Sequence, residues 1–284
     1  MEQETPAALR RTAEEGARMA GRILAERFLG ERTISFKQSG IDLVTDADKA
    51  SEEALIAFLR SRYPGHAILA EESGVTQGAG LRWLIDPLDG TTNYAHRVPH
   101  FCVSVAVDGP DGVLAGAVYH PMLDEMFSAA RGEGATLNGR PLKASDTAKL
   151  EGALLCTGFP YDVRERPEGP VGLLSRFIRR AQGIRRTGSA ALDLAYVAAG
   201  RFDGFFEFSL KPWDVGAGSL LVMEAGGEMT LMDGSPFDVM RGDVLACAPG
   251  LAPVLHKECR EFLADLGWKP PVPFGTRPGV RVPG

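Results

Sequence analysis

The sequence predicts a layered fold, α+β in its first half and α/β in its second. Two amphipathic helical stretches come first, then a run of short apolar segments broken by turns, then an alternation of strand and helix signals. At 284 residues the chain is long enough to bury a substantial core.

Residues 5 to 29 open with Thr5-Pro6, a suitable N-cap and first helical residue, and set Leu9, Ala13, Met19, Ile23 and Leu24 near one stripe before Gly30. From about Asp48, Ala54, Leu55, Phe58 and Leu59 recur at helical spacing until Tyr63-Pro64-Gly65. After residue 81 come Trp83-Leu84-Ile85, Phe101 to Val107, Val113 to Tyr119 and Glu125 to Ala129. The turn pairs Asp108-Gly109, Asp111-Gly112 and Asn138-Gly139 predict hairpins and a largely antiparallel sheet. Beyond residue 150, strands are predicted at 153 to 157, 204 to 208, 228 to 232 and 244 to 248. Helices are predicted near 171 to 182, 189 to 199, 215 to 224 and 251 to 266. The division this suggests is an N-terminal α+β half at 1–150, a C-terminal α/β half at 151–268, and a proline-rich tail at 269–284 that is flexible or extended.

Acidic residues outnumber basic ones by 37 to 31, so broad attraction to nucleic acid or anionic lipid is disfavoured. The four cysteines are widely spaced and form no Cys-x-x-Cys pair, which fits buried thiols in a reducing compartment. The first eighteen positions mix acids and bases rather than forming an apolar core, and no apolar run approaches the ~20 residues of a membrane span. A cytoplasmic protein is expected.

The chemistry concentrates in acids. Trp83-Leu84-Ile85 runs straight into Asp86-Pro87-Leu88-Asp89-Gly90-Thr91-Thr92-Asn93, which projects two carboxylates from one strand end. Like charges about 4 Å apart repel by about 4 kcal/mol at an effective dielectric of about 20, so the pair needs a cation or a shared proton. Magnesium is the natural hard cation for oxygen ligands. Glu71-Glu72 sits where another strand gives way to a loop, and only one of two adjacent acids can face a given side. Asp48 and Asp214 stand at helix starts, where each taken singly reads as a cap.

Taken together, Asp42-Leu43-Val44-Thr45 with Asp48, Glu71-Glu72-Ser73, Asp86 to Asn93, and Trp213-Asp214-Val215 with Glu224-Ala225-Gly226-Gly227 resemble the ordered signatures of inositol monophosphatases. The resemblance spans roughly residues 5 to 266. It implies an α-β-α-β-α sandwich of the inositol monophosphatase and fructose-1,6-bisphosphatase type, a homodimer, and two or three Mg2+ ions per site. It further implies that Glu71, Asp86 and the Leu88 carbonyl hold one metal and that Asp86, Asp89 and Asp214 hold a second. Asp48, Thr91 and Glu71 form the implied catalytic set, Thr91 orienting a metal-activated water and Asp48 polarising its hydroxyl. Asp89, Gly90, Thr91, Gly188, Ser189, Ala190 and Glu207 are the implied substrate contacts, with Glu207 receiving hydrogen bonds from vicinal hydroxyls. Lys37 is placed near the metals and Glu72 behind them or beside a third ion.

The substrate so implied is a small polyol phosphate, foremost myo-inositol monophosphate. Histidinol phosphate, fructose 1,6-bisphosphate and 3'-phosphoadenosine 5'-phosphate are the alternatives within the family. A regulatory protein on the same scaffold is the alternative from another class, docking RNA or a protein through Arg176, Arg179, Arg180, Arg185 and Arg186. That stretch otherwise reads as a solvated helix face. His96, His100 and His120 read as structural.

Overall fold

The computed structural model describes residues 4–30, 34–36 and 43–275. Helix α1 (Pro6–Phe28) starts as expected, with Pro6 in its first turn and the Thr5 hydroxyl accepting from the Ala8 N–H at 3.3 Å. Its buried stripe runs through Leu9, Ala13, Ala17, Ala20 and Leu24, while Met19 and Ile23 sit half-buried at the margin. Strands β1 (Ile34–Phe36) and β2 (Leu43–Thr45) form an antiparallel pair leading into α2 (Asp46–Arg62). Lys37 and Asp42 lie outside the described residues.

The first sheet follows: β3 (Ala67–Ala70), β4 (Gly74–Thr76), β5 (Arg82–Asp89), then after the short α3 (Thr91–Ala95) the meander β6 (Cys102–Gly109), β7 (Gly112–His120), β8 (Glu125–Ala130), β9 (Ala135–Leu137) and β10 (Arg140–Pro141). Their order is β10-β9-β8-β7-β6-β5-β3-β4. Every neighbouring pair is antiparallel except β3 and β5, so the sheet is mixed rather than purely antiparallel.

The second sheet is built from β11 (Leu154–Thr157), β12 (Gly183–Arg185), β13 (Gly204–Glu207), β14 (Glu228–Leu231) and β15 (Val244–Cys247), in the order β12-β11-β13-β15-β14. Helices α4 (Glu168–Ile178), α5 (Ala190–Ala198), α6 (Pro212–Glu224) and α7 (Ala252–Leu266) complete the chain.

Three apolar clusters show how these layers stack. One joins α1 and α2 to Trp83, Ile85, Val103, Val105 and Val107 on one face of the first sheet. The next joins Leu84, Cys102 and Ala106 on the other face to α5 and α6, and through Phe205, Val244 and Ala246 to the second sheet. The third joins Phe206, Leu245 and Cys247 to α4 and α7. Strand alternation sends neighbouring side chains to opposite faces, so the order is helices, sheet, helices, sheet, helices, the layered α+β arrangement expected.

Residues 270–275 have no regular secondary structure, yet the Phe274 ring docks against Trp213; residues 276–284 lie outside the described set. Among the described residues, no helix is long and apolar enough to cross a membrane.

Candidate active site

Strand β5 carries the central acids, and a bulge decides where they face. Asp86 pairs with Ser104 and Asp89 with Cys102, so three steps on β5 match two on β6. In an unbroken strand residues three apart point to opposite faces; the extra residue returns Asp89 to the face of Asp86. That face is also the one Leu84 presents to α5 and α6. The Ser51 hydroxyl from α2 donates to the Pro87 carbonyl at 3.0 Å, and the Asp86 carboxylate accepts from the Leu88 N–H at 3.0 Å. Gly90 then turns with φ 98°, a left-handed conformation closed to most side chains, and α3 begins.

Three further segments bring acids to the same place. Glu71 follows β3, and the loop it opens is pinned by the buried Glu52, which accepts from the N–H groups of Glu72 and Ser73 at 2.9 and 2.8 Å. Asp214 is the third residue of α6, with its carboxylate accepting from the Lys211 N–H at 2.7 Å. Asp48 is the third residue of α2 and accepts from the Thr45 N–H at 2.8 Å and hydroxyl at 2.5 Å. The Thr91 hydroxyl sits 3.0 Å from the Leu88 carbonyl and 3.3 Å from Asp48.

One cleft of about 490 Å3 is lined by Glu71, Asp86, Leu88, Asp89, Gly90, Thr91, Gly188, Ser189, Ala190, Glu207 and Asp214. Asp48 stands behind Thr91, fully buried. Electrostatics record the crowding. Burial first, then the charges of Glu71, Asp89 and Asp214, hold the Asp86 carboxyl well above the usual carboxylate range. Asp214 is pushed up to about 8 by burial and by Glu71 and Asp89, and Asp89 to about 6, chiefly by burial, against the pull of its Ser189 and Ala191 hydrogen bonds. Asp48 is raised to about 6 by burial, with its Thr45 bonds opposing. Among the described residues, no three His, Cys, Asp or Glu side chains are already drawn together as a metal-holding set.

The second sheet supplies the opposite wall. Glu207 shares the inward face of β13 with Phe205, is buried, and is held well above its ordinary pKa by burial and by Asp193 and Asp214, with Arg186 acting against them. Ser189 donates to Asp89 at 2.6 Å and the Ala191 N–H donates to the same oxygen at 2.7 Å, so the start of α5 orients an acid of β5. Asn93 bonds the carbonyls of both His100 and Thr187, at 2.8 and 2.9 Å, locking α3 to the turn before α5.

Sequence reasoning did not single out Ser51, Glu52 or Asp193. Asp193 reads in the sequence as an ordinary helical acid; it is buried, accepts from Thr187 at 2.6 Å and is pushed up to about 8, mainly by burial. The arginine stretch is not one solvated helix face. Arg176 donates to Glu258 and Glu261 at 2.7 Å each and Arg180 pairs with Glu258, because α7 packs its acids along α4, while Arg186 lines the cleft. A larger cavity of about 710 Å3 opens between the β6–β7 turn and residues 237–240, where Arg82 and Asp108 are paired with each other at 2.6 Å. Its acids Asp108 and Glu224 are already engaged, the first by Arg82 and the second by the N–H groups of Gly132 and Gly134.

Comparison with known proteins agrees with this geometry. The Nus factor SuhB of Escherichia coli (strain K12) is 43% identical over 252 residues, covering 88% of this chain and 94% of that protein. Among solved structures, the extragenic suppressor protein suhB from Bartonella henselae superposes with a TM-score of 0.83 at 36% identity, covering 88% of this chain and 98% of that one. The inositol monophosphatase from Anabaena (Nostoc) sp. PCC 7120 gives 0.80 at 41% identity, covering 93% and 97%. The profile of the inositol monophosphatase family matches residues 6–264. With that match across nearly the whole chain, and with the acids of four separate segments gathered in one cleft, this protein belongs to the inositol monophosphatase family.

Proposed function

We propose that the chain is a magnesium-dependent phosphomonoester hydrolase acting on a small polyol phosphate, foremost myo-inositol monophosphate. The observation that carries this reading is the convergence of Glu71, Asp86, Asp89 and Asp214 in one cleft beside a Thr91 hydroxyl backed by Asp48. The donors are all oxygens, and burial first, then their mutual repulsion, raises the pKa of Asp86 and Asp214, so the set suits a hard divalent cation. Glu71, Asp86 and the Leu88 carbonyl would hold one ion, and Asp86, Asp89 and Asp214 a second. When bound, such ions neutralise the phosphate dianion, acidify water and stabilise the departing alkoxide.

The residues of the chain do the positioning. Thr91 donates its proton toward Leu88 or Asp48, which leaves its oxygen lone pairs to accept from an attacking water and aim it at phosphorus. The N–H groups of Gly90 and Thr91 would donate to phosphate oxygens at the start of α3. A water oxygen bonds to phosphorus as the ester oxygen leaves and takes a proton, giving inorganic phosphate and the free polyol. Glu207 would receive hydrogen bonds from vicinal hydroxyls of the ring, with Gly188, Ser189 and Ala190 forming the adjoining wall. Phosphate release from a panel of polyol, sugar and nucleotide monophosphates, with Mg2+ titrated from micromolar to millimolar, tests this. Absence of release from every member would defeat it. We propose a homodimer as well; a monomer mass by light scattering at micromolar concentration would contradict it.

The name Nus factor, carried by relatives such as the Escherichia coli protein, supports a second reading, a regulatory protein on the same scaffold that docks RNA or a protein partner. With Arg176 and Arg180 committed to α7, Arg179 and Arg185 are the members of the stretch left for phosphates. Salt-dependent RNA binding that survives Asp86→Asn while hydrolysis disappears is the sign expected; binding unchanged in Arg179→Ala with Arg185→Ala would remove this surface from consideration.

A further inference from the structure

The match to the family ends at residue 264, but the ordered chain does not. After α7 it continues through Trp268 to Gly275 and lies across the segment that delivers Asp214. Two aromatic residues make the attachment. The Trp268 indole N–H donates to one oxygen of Asp243 at 3.1 Å, and the other oxygen of Asp243 accepts from the Ser209 N–H at 2.8 Å. Further along, the Phe274 N–H donates to the Met240 carbonyl at 2.7 Å, and its ring meets Trp213 edge-on, centroids 5.4 Å apart at 81°.

Between these anchors lie residues 208–214, a bend whose second half is closed by the Lys211–Asp214 hydrogen bonds and whose first half, 208–210, leans on the neighbouring 240–243 turn. Ser209 adopts φ 62°, uncommon for a residue with a side chain. The Leu210 N–H is satisfied by the Gly242 carbonyl at 2.9 Å, and the two strands of backbone approach so closely that a Cβ on Gly242 would lie 1.9 Å from the Leu210 oxygen. Turn 240–243 is therefore the bed of the 208–214 bend, and the chain after α7 fastens both. Trp213 is nearly buried, and its carbonyl accepts from Ser104 of β6 at 3.1 Å, so its ring and its backbone each have a partner. Asp214 is the next residue.

We infer that Trp268 and Phe274 are positioning residues, an aromatic strap lying beyond the stretch that the family profile matches, which fixes the 208–214 bend and through it the placement of Asp214 for the cation. This rests on reading Asp214 as a metal ligand. Neither residue touches the cleft, so the strap acts on cation affinity and loop order rather than on the reacting groups.

The test uses the full chain with Phe274→Ala, Phe274→Tyr and, as a control, Val272→Ala, whose side chain is exposed. Hydrogen exchange is followed at the amides of Ser209, Leu210 and Asp214, and Mg2+ binding by calorimetry. Loss of one edge-to-face aromatic contact should speed exchange at these amides and weaken Mg2+ binding by about fivefold, with β6 and β7 unchanged. Phe274→Tyr should restore both values and Val272→Ala should leave both at wild type. Wild-type exchange at 209–214 in Phe274→Ala, or acceleration shared equally by β6 and β7, would overturn the strap. Wild-type protein that takes up no Mg2+ would overturn the assignment of Asp214, while the exchange comparison still decides the strap by itself.

Discussion

Asp48 and Asp214 occupy the same place in their two helices. Each is the third residue, and each returns its carboxylate to the N–H of the residue just before the helix, Thr45 at 2.8 Å and Lys211 at 2.7 Å. Capping and function are therefore not rival explanations for these acids. The hydrogen bond that closes the first turn uses one carboxylate oxygen and fixes the side chain; the other oxygen of Asp48 accepts from Thr91, and Asp214 lines the cleft.

The pairing of Asp48 with Thr91 predicts an acid limb in catalysis. Asp48 titrates near 6, and once protonated it no longer draws the Thr91 proton away from the cleft. At saturating Mg2+, kcat should fall as pH drops below about 6. Asp48→Asn should flatten that limb and lower kcat by about a hundredfold. Thr91→Ser should keep most of the rate that Thr91→Ala loses.

Stability of the metal-free protein should depend on pH in the sense opposite to that of a salt-bridged carboxylate. Asp89 and Asp214 are raised to about 6 and about 8 from an ordinary 3.8, so the folded state holds protons that the unfolded chain has released. Their favourable contribution is complete below about pH 4 and is lost as pH rises through about 6 and then about 8. Without Mg2+, the melting temperature should be lower at pH 8 than at pH 5 by at least roughly 2 °C, the shift expected for about 1 kcal/mol in a chain of this size. Millimolar Mg2+ at pH 8 should reverse the loss in the wild type and not in Asp86→Asn. Equal melting at both pH values would count against the clustered charges.

Glu207→Gln tests the ring contact. Replacing the carboxyl with an amide should raise KM for inositol monophosphate by about tenfold. Hydrolysis of p-nitrophenyl phosphate, which lacks vicinal hydroxyls, should change less than threefold. A parallel loss on both substrates would assign Glu207 to the architecture of the cleft.

Arg176→Ala should act on stability alone. Its two hydrogen bonds at 2.7 Å to Glu258 and Glu261 join α4 to α7, far from the acids of β5. Removing them should cost about 1 kcal/mol, read as a shift in the denaturation midpoint, with kcat/KM within twofold of wild type.

The main helices and most strands were legible because their signals are local. The stripe from Leu9 to Leu24, the Thr5-Pro6 start and the Gly-containing turns each follow from short-range geometry. The parallel pairing of β3 with β5 was not legible, since it depends on where a distant segment is laid down. The same divide runs through the site. Asp86 and Asp89 announce themselves by chain position, and their companions by family likeness. Ser51, Glu52 and Asp193 sit in ordinary helical sequence, and their roles arise from what packs against them: the Pro87 carbonyl, the loop after Glu71, and Thr187. Arg176 and Arg180 were misjudged for a related reason, because α7 supplies their acids from some eighty positions away.

The irregularity between Asp86 and Asp89 has a chemical return. An even spacing in an unbroken strand would also set two carboxylates on one side, but every carbonyl between them would be committed to neighbouring strands. The inserted residue frees two. Ser51 takes the Pro87 oxygen and Thr91 shares the Leu88 oxygen, so a central strand tolerates proline and gains a main-chain donor at the mouth of the cleft. Trimming this stretch to a regular ladder would tidy the sheet and withdraw the main-chain oxygen that the proposed cation would use.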